Sequence, residues 1–124
     1  MSIDPQLVAE TEMLHNQICH ALDDPKRLLI LQVLADHSHC VMELADALDM
    51  PQPTVSRHLK ILRDRALVEA TRQGPAVYYT LSDQRLIQVI ELLRGVLHDR
   101  VMQQARVVGA PDLIENSCDS TKVK

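Results

Sequence analysis

Residues 41–65 read VMELADALDMPQPTVSRHLKILRDR, and this stretch decides the fold. Apolar residues recur at helical spacing over 41–48 and again from 53 to 65, where Val55, Leu59 and Leu62 fall on one face. Residues 49–53, which include two prolines, predict a turn where the two runs meet. The stretch therefore predicts two short helices joined by a tight turn, with hydroxyl and basic side chains on the outer face of the second helix.

Two more helices are predicted upstream of this pair. Apolar residues at helical spacing over 6–22 predict a first amphipathic helix. Asp24 and Pro25 predict the start of a second helix that runs to about Ala35, because aspartate caps free N–H groups and proline at the first helical position gives up no hydrogen bond. The polar residues 37–40, HSHC, form a break, and histidines at this spacing in a loop are more often solvated than bound to a metal.

The pattern changes after residue 66. Residues 67–72 and 76–81 are rich in β-prone side chains and flank the sequence Gln-Gly-Pro, which predicts a hairpin. A long apolar helix follows, capped by Ser82 or Asp83. Residues 1–108 are predicted to form one domain, and the polar residues 109–124 are predicted to be a mobile tail.

Four helices, a hairpin and a final helix are the order of a winged helix-turn-helix, a mainly α fold with a small β-hairpin wing. In such domains the second helix of the central pair reads DNA, while hydroxyl and basic side chains hold phosphates. The alternative is a solvated amphipathic helix with ordinary surface charge. The candidate contacts to DNA are Gln52, Thr54, Ser56, Arg57, His58, Lys60 and Arg72.

The net charge of the 124-residue chain, −4, does not exclude a polyanionic partner. Residues 51–72 carry +3, with five basic side chains against two acidic ones. A polyanion responds to local charge within about 10 Å, the Debye length at ordinary ionic strength. The charge is therefore compatible with a nucleic-acid site on the fourth helix and the hairpin.

The chain contains no apolar run long enough to span a membrane and no recognisable signal peptide, so we expect a cytoplasmic protein without a membrane partner. Because that compartment is reducing, we expect its three cysteines to be free thiols or metal ligands rather than disulfides.

Several motifs carry a family resemblance. The stretches ALDDPKRLLIL at 21–31, ELADAL at 43–48, QPTVSRHLK at 52–60 and YYTL at 78–81 together resemble the ArsR/SmtB family of bacterial repressors, over roughly residues 15–100. The resemblance implies a homodimer that binds an inverted-repeat operator in double-stranded DNA. It also implies release by an inducer, often a thiophilic metal or metalloid. Pro51 departs from the family pattern, which usually has a serine there, so a side-chain cap or phosphate contact is lost.

The final helix gives an independent reason to expect a dimer. It has too many apolar residues for one packing face, and the surplus is better buried against a second copy, with the first helix alongside. These residues are Leu86, Ile87, Val89, Ile90, Leu92, Leu93, Val96 and Leu97.

Two ligand sites found in the family are not predicted here. Where the zinc-type site needs further ligands after Asp83, the chain has Arg85 and Val96, neither of which can donate to a cation. Where persulfide-sensing members have a pair of cysteines, the chain has Gln32 and His98.

A third ligand site of the family, a cysteine motif, is matched in part by this sequence. Residues 40–44, CVMEL, resemble the C-V-C-[DE]-L motif of the arsenic and cadmium branch, with Met42 in place of the second cysteine. Arsenic(III), antimony(III) and cadmium(II) prefer thiolates, so further thiols must complete the site. The candidate inducer ligands are Cys40, then Cys19 in the first helix and Cys118 in the tail. No constitutive cofactor is predicted.

The leading interpretation is a DNA-binding transcriptional repressor that As(III), Sb(III) or another thiophilic ion releases from its operator. One alternative is a repressor of the same fold that responds to thiol oxidation or reactive sulfur, and another is a DNA binder without an inducer. An enzyme is not predicted, because the chain offers no phosphate-binding loop, oxyanion nest or ordered acid–base pair.

Overall fold

The computed structural model describes the backbone of residues 2–108 and the side chains of residues 2–105. Contacts within the chain divide it after Ile87 into two units, which within the described residues are 2–87 and 88–108. The predicted tail, 109–124, lies outside the described residues. Among the helices within 2–108, none has the length and apolar character that a bilayer span requires. The elements are α1 (Pro5–Leu14), a π-helical turn (His15–Cys19), α2 (Pro25–Leu34), β1 (His39–Cys40), α3 (Val41–Leu48), α4 (Gln52–Asp64), β2 (Val68–Gln73), β3 (Ala76–Leu81) and α5 (Arg85–Val108).

The predicted helices α2, α3 and α4 are confirmed to within a residue or two. α2 begins where the sequence indicates, because the Oδ1 atom of Asp24 accepts a hydrogen bond of 2.8 Å from the backbone N–H of Lys26, and Pro25 occupies the first helical position. α5 begins similarly, since the Asp83 carboxylate accepts a bond of 2.9 Å from the Arg85 N–H. Local capping chemistry therefore sets both starts.

The first helix is not the single α-helix over 6–22 that the apolar spacing predicts. α1 ends at Leu14, and the next five residues form a π-helical turn, with the His20 N–H donating to the His15 carbonyl over 2.8 Å. An insertion of this kind shifts the helical register, which a constant spacing does not anticipate. The guanidinium of Arg65 donates to the Asn16 carbonyl and so ties this turn to the end of α4.

The hairpin is confirmed, and a third strand joins it. β2 pairs with β3 antiparallel across a two-residue turn, in which Gly74 takes a φ of +62° that side-chain-bearing residues rarely adopt. β1 pairs with the other edge of β3, so the order is β1-β3-β2. The polar segment 37–40, predicted only as a break, therefore supplies a strand.

The core of residues 1–87 is aliphatic, as the lack of Phe and Trp requires. It packs α2, α3 and α4 against one another, with α4 also against β2, α2 against β3 and α3 against β1. The largest fully buried side chains are Ile30, Leu31, Leu34, Leu44, Val55, Leu59 and Leu62.

Candidate nucleic-acid interface

The turn between α3 and α4 sets where α4 begins. α3 ends at Leu48 and is followed by the C-cap Asp49, which adopts a left-handed conformation (φ 53°); the Met50 N–H then donates to the Ala45 carbonyl over 3.0 Å. Pro51 offers no side-chain cap, but its carbonyl accepts bonds of 3.1 Å from the N–H groups of Thr54 and Val55. The departure at Pro51 thus removes a side-chain cap while keeping the start of α4.

α4 separates an apolar face from a polar one. Val55, Leu59 and Leu62 are buried and anchor the helix in the core. On the other side, Thr54 is half-buried, and the remaining polar candidates on α4, His58 excepted, are exposed: Gln52, Ser56, Arg57 and Lys60. Amide, hydroxyl and basic groups therefore share the accessible surface of the helix, the set that reads base edges and holds phosphates.

The two basic candidates on α4 differ in their surroundings. Lys60 lies 3.4 Å from the Asp64 carboxylate, but both side chains are largely exposed, so the pair adds little and can open. Arg57 forms no ion pair among the side chains that the structure describes. Its full positive charge is therefore available to a polyanion.

His58 is buried, which sets it apart from the exposed DNA-facing candidates on α4. Only 9% of it is exposed, and its Nδ1 atom lies 3.3 Å from the Nη1 atom of Arg27, which is equally buried. Arginine only donates, so Nδ1 accepts, and the ring is neutral with its proton on Nε2. Burial is the main reason that the pKa of His58 lies below its ordinary value. His58 joins α4 to α2.

Arg27, the arginine that contacts His58, connects three parts of the chain. Its Nε donates to the Ala21 carbonyl over 2.6 Å, and its Nη1 lies 3.9 Å from the Asp24 carboxylate at the start of α2. With the contact to His58, these bonds satisfy a guanidinium that would be costly to bury alone. The network fixes α4 relative to α2 from the inside.

The wing candidate, Arg72, is exposed near the tip of β2, as expected. Its Nη1 donates to the Gly74 carbonyl over 3.4 Å, a weak bond at the turn. The side chain therefore stays close to the tip and remains open to solvent.

A cleft between α4 and the sheet brings together residues that the sequence analysis did not assign. It has a volume of about 430 Å³ and is lined by Ser56, Leu59, Lys60, Arg63, Asp64 and Tyr79. Helical spacing could have placed Arg63 beside Ser56 and Lys60, since it follows them by seven and three positions. No local pattern could have brought Tyr79 to the same cleft, because it comes from the sheet.

Two of the three cysteine candidates, Cys40 and Cys19, belong to the described residues, and both lie in elements other than α4. Cys40 is half-buried and precedes α3, where its backbone N–H donates to the Glu43 carboxylate over 3.1 Å. Cys19 is exposed at the end of the π-helical turn. Cys118 lies outside the described residues. Within residues 2–105, no three His, Cys, Asp or Glu side chains lie close enough together to hold a metal ion.

Asp83, the first position of the family's zinc-type site, forms an ion pair with Arg85. The guanidinium donates to its two oxygens over 2.7 and 3.1 Å, and these hydrogen bonds lower the pKa of Asp83 to about 2. The carboxylate serves as a partner for arginine and as the cap of α5.

A supporting helix, a tight turn, an anchored helix with a polar outer face and a β-hairpin define a winged helix-turn-helix DNA-binding domain. Residues 24–70 match the model of the bacterial regulatory proteins of the arsR family. The chain is also 41% identical, over 62% of its length, to an uncharacterised HTH-type transcriptional regulator of Methanocaldococcus jannaschii, of which it covers 88%. The chain belongs to the arsR family, whose members are DNA-binding transcriptional regulators and not enzymes.

Relatives with more specific names match over part of their length. The transcriptional repressor SmtB of Mycobacterium tuberculosis is 42% identical over 66% of this chain, and the arsenic resistance regulator ArsR1 of Pseudomonas putida is 36% identical over 60% of it. The match spans 59% of each of these two relatives.

Solved structures share the fold. HlyU of Vibrio cholerae, in its reduced form, has a TM-score of 0.65 at 32% identity, over 73% of this chain and 96% of that one. The homodimeric winged helix-turn-helix domain of Mb0332 from Mycobacterium bovis has a TM-score of 0.70 at 27% identity, over 83% and 95%.

Proposed function

We propose that this protein is a homodimeric transcriptional repressor that binds an inverted-repeat operator with α4 in the major groove and the hairpin on the adjacent DNA backbone. The observation that carries the proposal is that α4 has a buried apolar face and an accessible polar face. Three aliphatic side chains anchor it in the core, while Gln52, Ser56, Arg57 and Lys60 remain accessible. Two such helices spaced about 34 Å apart, one turn of DNA, would fill two half-sites.

Exposed apolar side chains support the dimer. α5 exposes Leu92 by 72%, and four of its neighbours are similarly open to solvent. A helix with this surface requires a partner, and the Mb0332 domain, of the same fold, is a homodimer. α1 also has exposed apolar side chains and is expected to contribute to the dimer interface. The residues concerned are Leu7, Val8, Met13 and Leu14 on α1, and Val89, Leu92, Leu93, Val96 and Leu97 on α5.

Removing a charge from α4 tests DNA binding. Arg57→Ala should weaken binding to specific and random duplexes alike and lower the salt dependence of the association constant by about one unit per protomer, because one phosphate contact is lost. Fluorescence anisotropy over a series of salt concentrations measures both effects. Unchanged affinity and slope would show that this face of α4 does not meet DNA.

We infer that the inducer is a thiophilic metal or metalloid such as As(III), bound through Cys40 with Cys19 and Cys118 as further ligands. Two free thiols are present in the described residues, and Cys40 directly precedes the helix that supports α4. Because the described side chains of one protomer do not form a three-ligand cluster, the inferred site needs the tail or a second protomer. ArsR1, a relative, is an arsenic resistance regulator.

An operator-release assay tests the inducer. Cys40→Ser should keep DNA affinity but no longer release DNA when As(III) is added, since an inducer acts only through a preference for the DNA-free form. Cys19→Ser should show a weaker defect, and Cys118→Ser the smallest. Release of Cys40→Ser at the wild-type concentration of As(III) would place the site elsewhere. Cd(II), Zn(II) and persulfide complete the series of candidate inducers.

A second candidate function is repression controlled by thiol oxidation or reactive sulfur. The exposure of Cys19 favours it, and so does the similarity to HlyU, whose structure was solved in a reduced form. Mass spectrometry separates the two mechanisms. Bound arsenic on unoxidised thiols supports the metalloid mechanism, whereas added sulfur or linked cysteines after persulfide treatment supports the redox mechanism.

A further inference from the structure

The cleft between α4 and the sheet has two walls of different origin. One wall is the flank of α4, where Ser56, Lys60 and Arg63 follow each other along successive turns. The other is Tyr79 on the central strand β3, and Leu59 of α4 also lines the cleft. The cleft is therefore built from the reading helix on one side and the strand that carries the wing on the other.

The strand register explains why Tyr79 faces α4. Val68 and Leu81 are paired and buried, so their face of the sheet is the one turned towards the helices. Tyr79 lies two residues from Leu81 and therefore on the same face, opposite Ala70. Because Ala70 is small, the tyrosine ring has room beside it. Arg72 continues this face towards the tip of the hairpin.

The polar groups of the cleft suit an oxyanion. Ser56 and Tyr79 bring hydroxyl donors, and Lys60 and Arg63 bring positive charge. Asp64 also lines the cleft, but its carboxylate lies beside the Lys60 ammonium group. Arg63 forms no ion pair with any side chain within residues 2–105. A guanidinium with two hydroxyl groups can donate to a phosphate from three directions.

We propose that this cleft holds one phosphodiester of the DNA backbone, with Arg63 and Tyr79 as contacts that no local sequence motif indicates. The inference rests on the proposed function. With α4 in the major groove and the hairpin on the adjacent DNA backbone, as proposed, that backbone would pass between α4 and the sheet, where the cleft lies. The donors of the cleft match the single negative charge of a phosphodiester.

The charge contribution is tested with Arg63→Ala in the full-length protein. It should lower the salt dependence of DNA binding by about one unit per protomer, equally on operator and random duplexes. Arg63→Lys should restore the slope. Arg85→Ala is the matched control, because it also removes one positive charge, from a residue that is paired with Asp83 outside the cleft. The control should keep the wild-type slope.

The hydroxyl contribution is tested with Tyr79→Phe, which keeps the ring in place. Loss of a hydrogen bond from this uncharged donor to the anionic phosphate should weaken binding about tenfold or more and leave the salt slope unchanged. Thermal melting of the variant should match the wild type, which separates a lost DNA contact from a loosened sheet. A lower melting temperature together with unchanged DNA affinity would assign Tyr79 to packing alone and overturn its role in the cleft.

The outcomes distinguish this inference from the proposed function. If Arg57→Ala weakens binding while Arg63→Ala keeps the wild-type slope, α4 meets DNA and the cleft does not. If Arg85→Ala changes the slope as much as Arg63→Ala, the effect is one of net charge and the cleft has no special role. If the wild-type protein binds neither operator nor random duplex, both the proposed function and the inference are wrong.

Discussion

Gln52 opens α4 with an exposed side chain, at the end of the helix that enters the groove in domains of this kind. A glutamine amide can bond both edge atoms of an adenine and so contributes about 1–3 kcal/mol of discrimination. We expect Gln52→Ala to relax the preference at one position in each half-site while keeping the affinity for random DNA. Anisotropy with operators substituted one base pair at a time measures this effect. An equal loss on operator and random DNA would assign Gln52 to the backbone.

His58 makes the domain sensitive to acid. Burial lowers its pKa below the ordinary value near 6.5; Asp24 opposes this effect, while Arg27, Lys26 and Arg57 add to it. The unfolded chain therefore takes up this proton more readily than the folded one. The contribution of His58 to the free energy of unfolding is fully present above about pH 6.5, falls as the pH drops through that value, and levels off below the folded pKa.

The variant His58→Gln tests this dependence, because a glutamine oxygen can still accept a bond from Arg27 but does not titrate. Urea unfolding between about pH 5 and pH 7.5 should show a shallower loss of stability in the variant than in the wild type. Identical slopes would mean that the pairing of His58 with Arg27 is not what acid disturbs.

At the level of elements, the turn of the wing depends on the φ of +62° at Gly74. A β-carbon added there meets nothing within 4 Å, so the cost of Gly74→Ala is one of backbone conformation alone, about 1–2 kcal/mol. Urea unfolding should show this loss. Gly74→Asn should cost less, since asparagine tolerates left-handed conformations better. Equal losses for the two variants would point to a cause other than backbone strain.

The elements that local chemistry specifies could be predicted from the sequence. Asp24 with Pro25 marked the start of α2, and the Gly74 turn marked the hairpin. β1 could not be predicted, because a two-residue strand has no periodicity and its partner lies far along the chain. The π-helical turn could not be predicted either, because the apolar spacing continues through it unchanged.

The DNA contacts stay a prediction, and burial separates His58 from the other candidates on α4. Positions 55, 58, 59 and 62 form one helical stripe, and all four are buried. Treating histidine as a polar residue placed it with the DNA contacts, although its spacing placed it with the apolar anchors. The cleft at Tyr79 depends on tertiary structure and has no counterpart in the local sequence.

At the scale of the whole molecule, a substitution that breaks the dimer should also weaken operator binding. Leu93→Glu places a charge on the exposed apolar surface of α5, and burying it unpaired in the dimer should raise the dimer dissociation constant at least about a hundredfold. Sedimentation and anisotropy should show a monomer with weak operator binding. The exposed Gln88, replaced by Glu, adds the same charge at a polar position and should leave the dimer intact. A dimeric Leu93→Glu would exclude this part of α5 from the interface.

The short strand β1 also determines how Cys40 reacts. It is held to β3 by two residue pairs, His39 with Tyr79 and Cys40 with Tyr78, which lie 40 and 38 positions apart in the chain. The hairpin, by contrast, is local and six residues long on each side. The weakest part of the sheet should therefore detach in brief local openings while the rest of the domain stays folded. Each opening would uncover the half-buried Cys40 thiol. The rate at which a thiol reagent labels Cys40 would then report the fraying of one sheet edge and stay insensitive to the stability of the core.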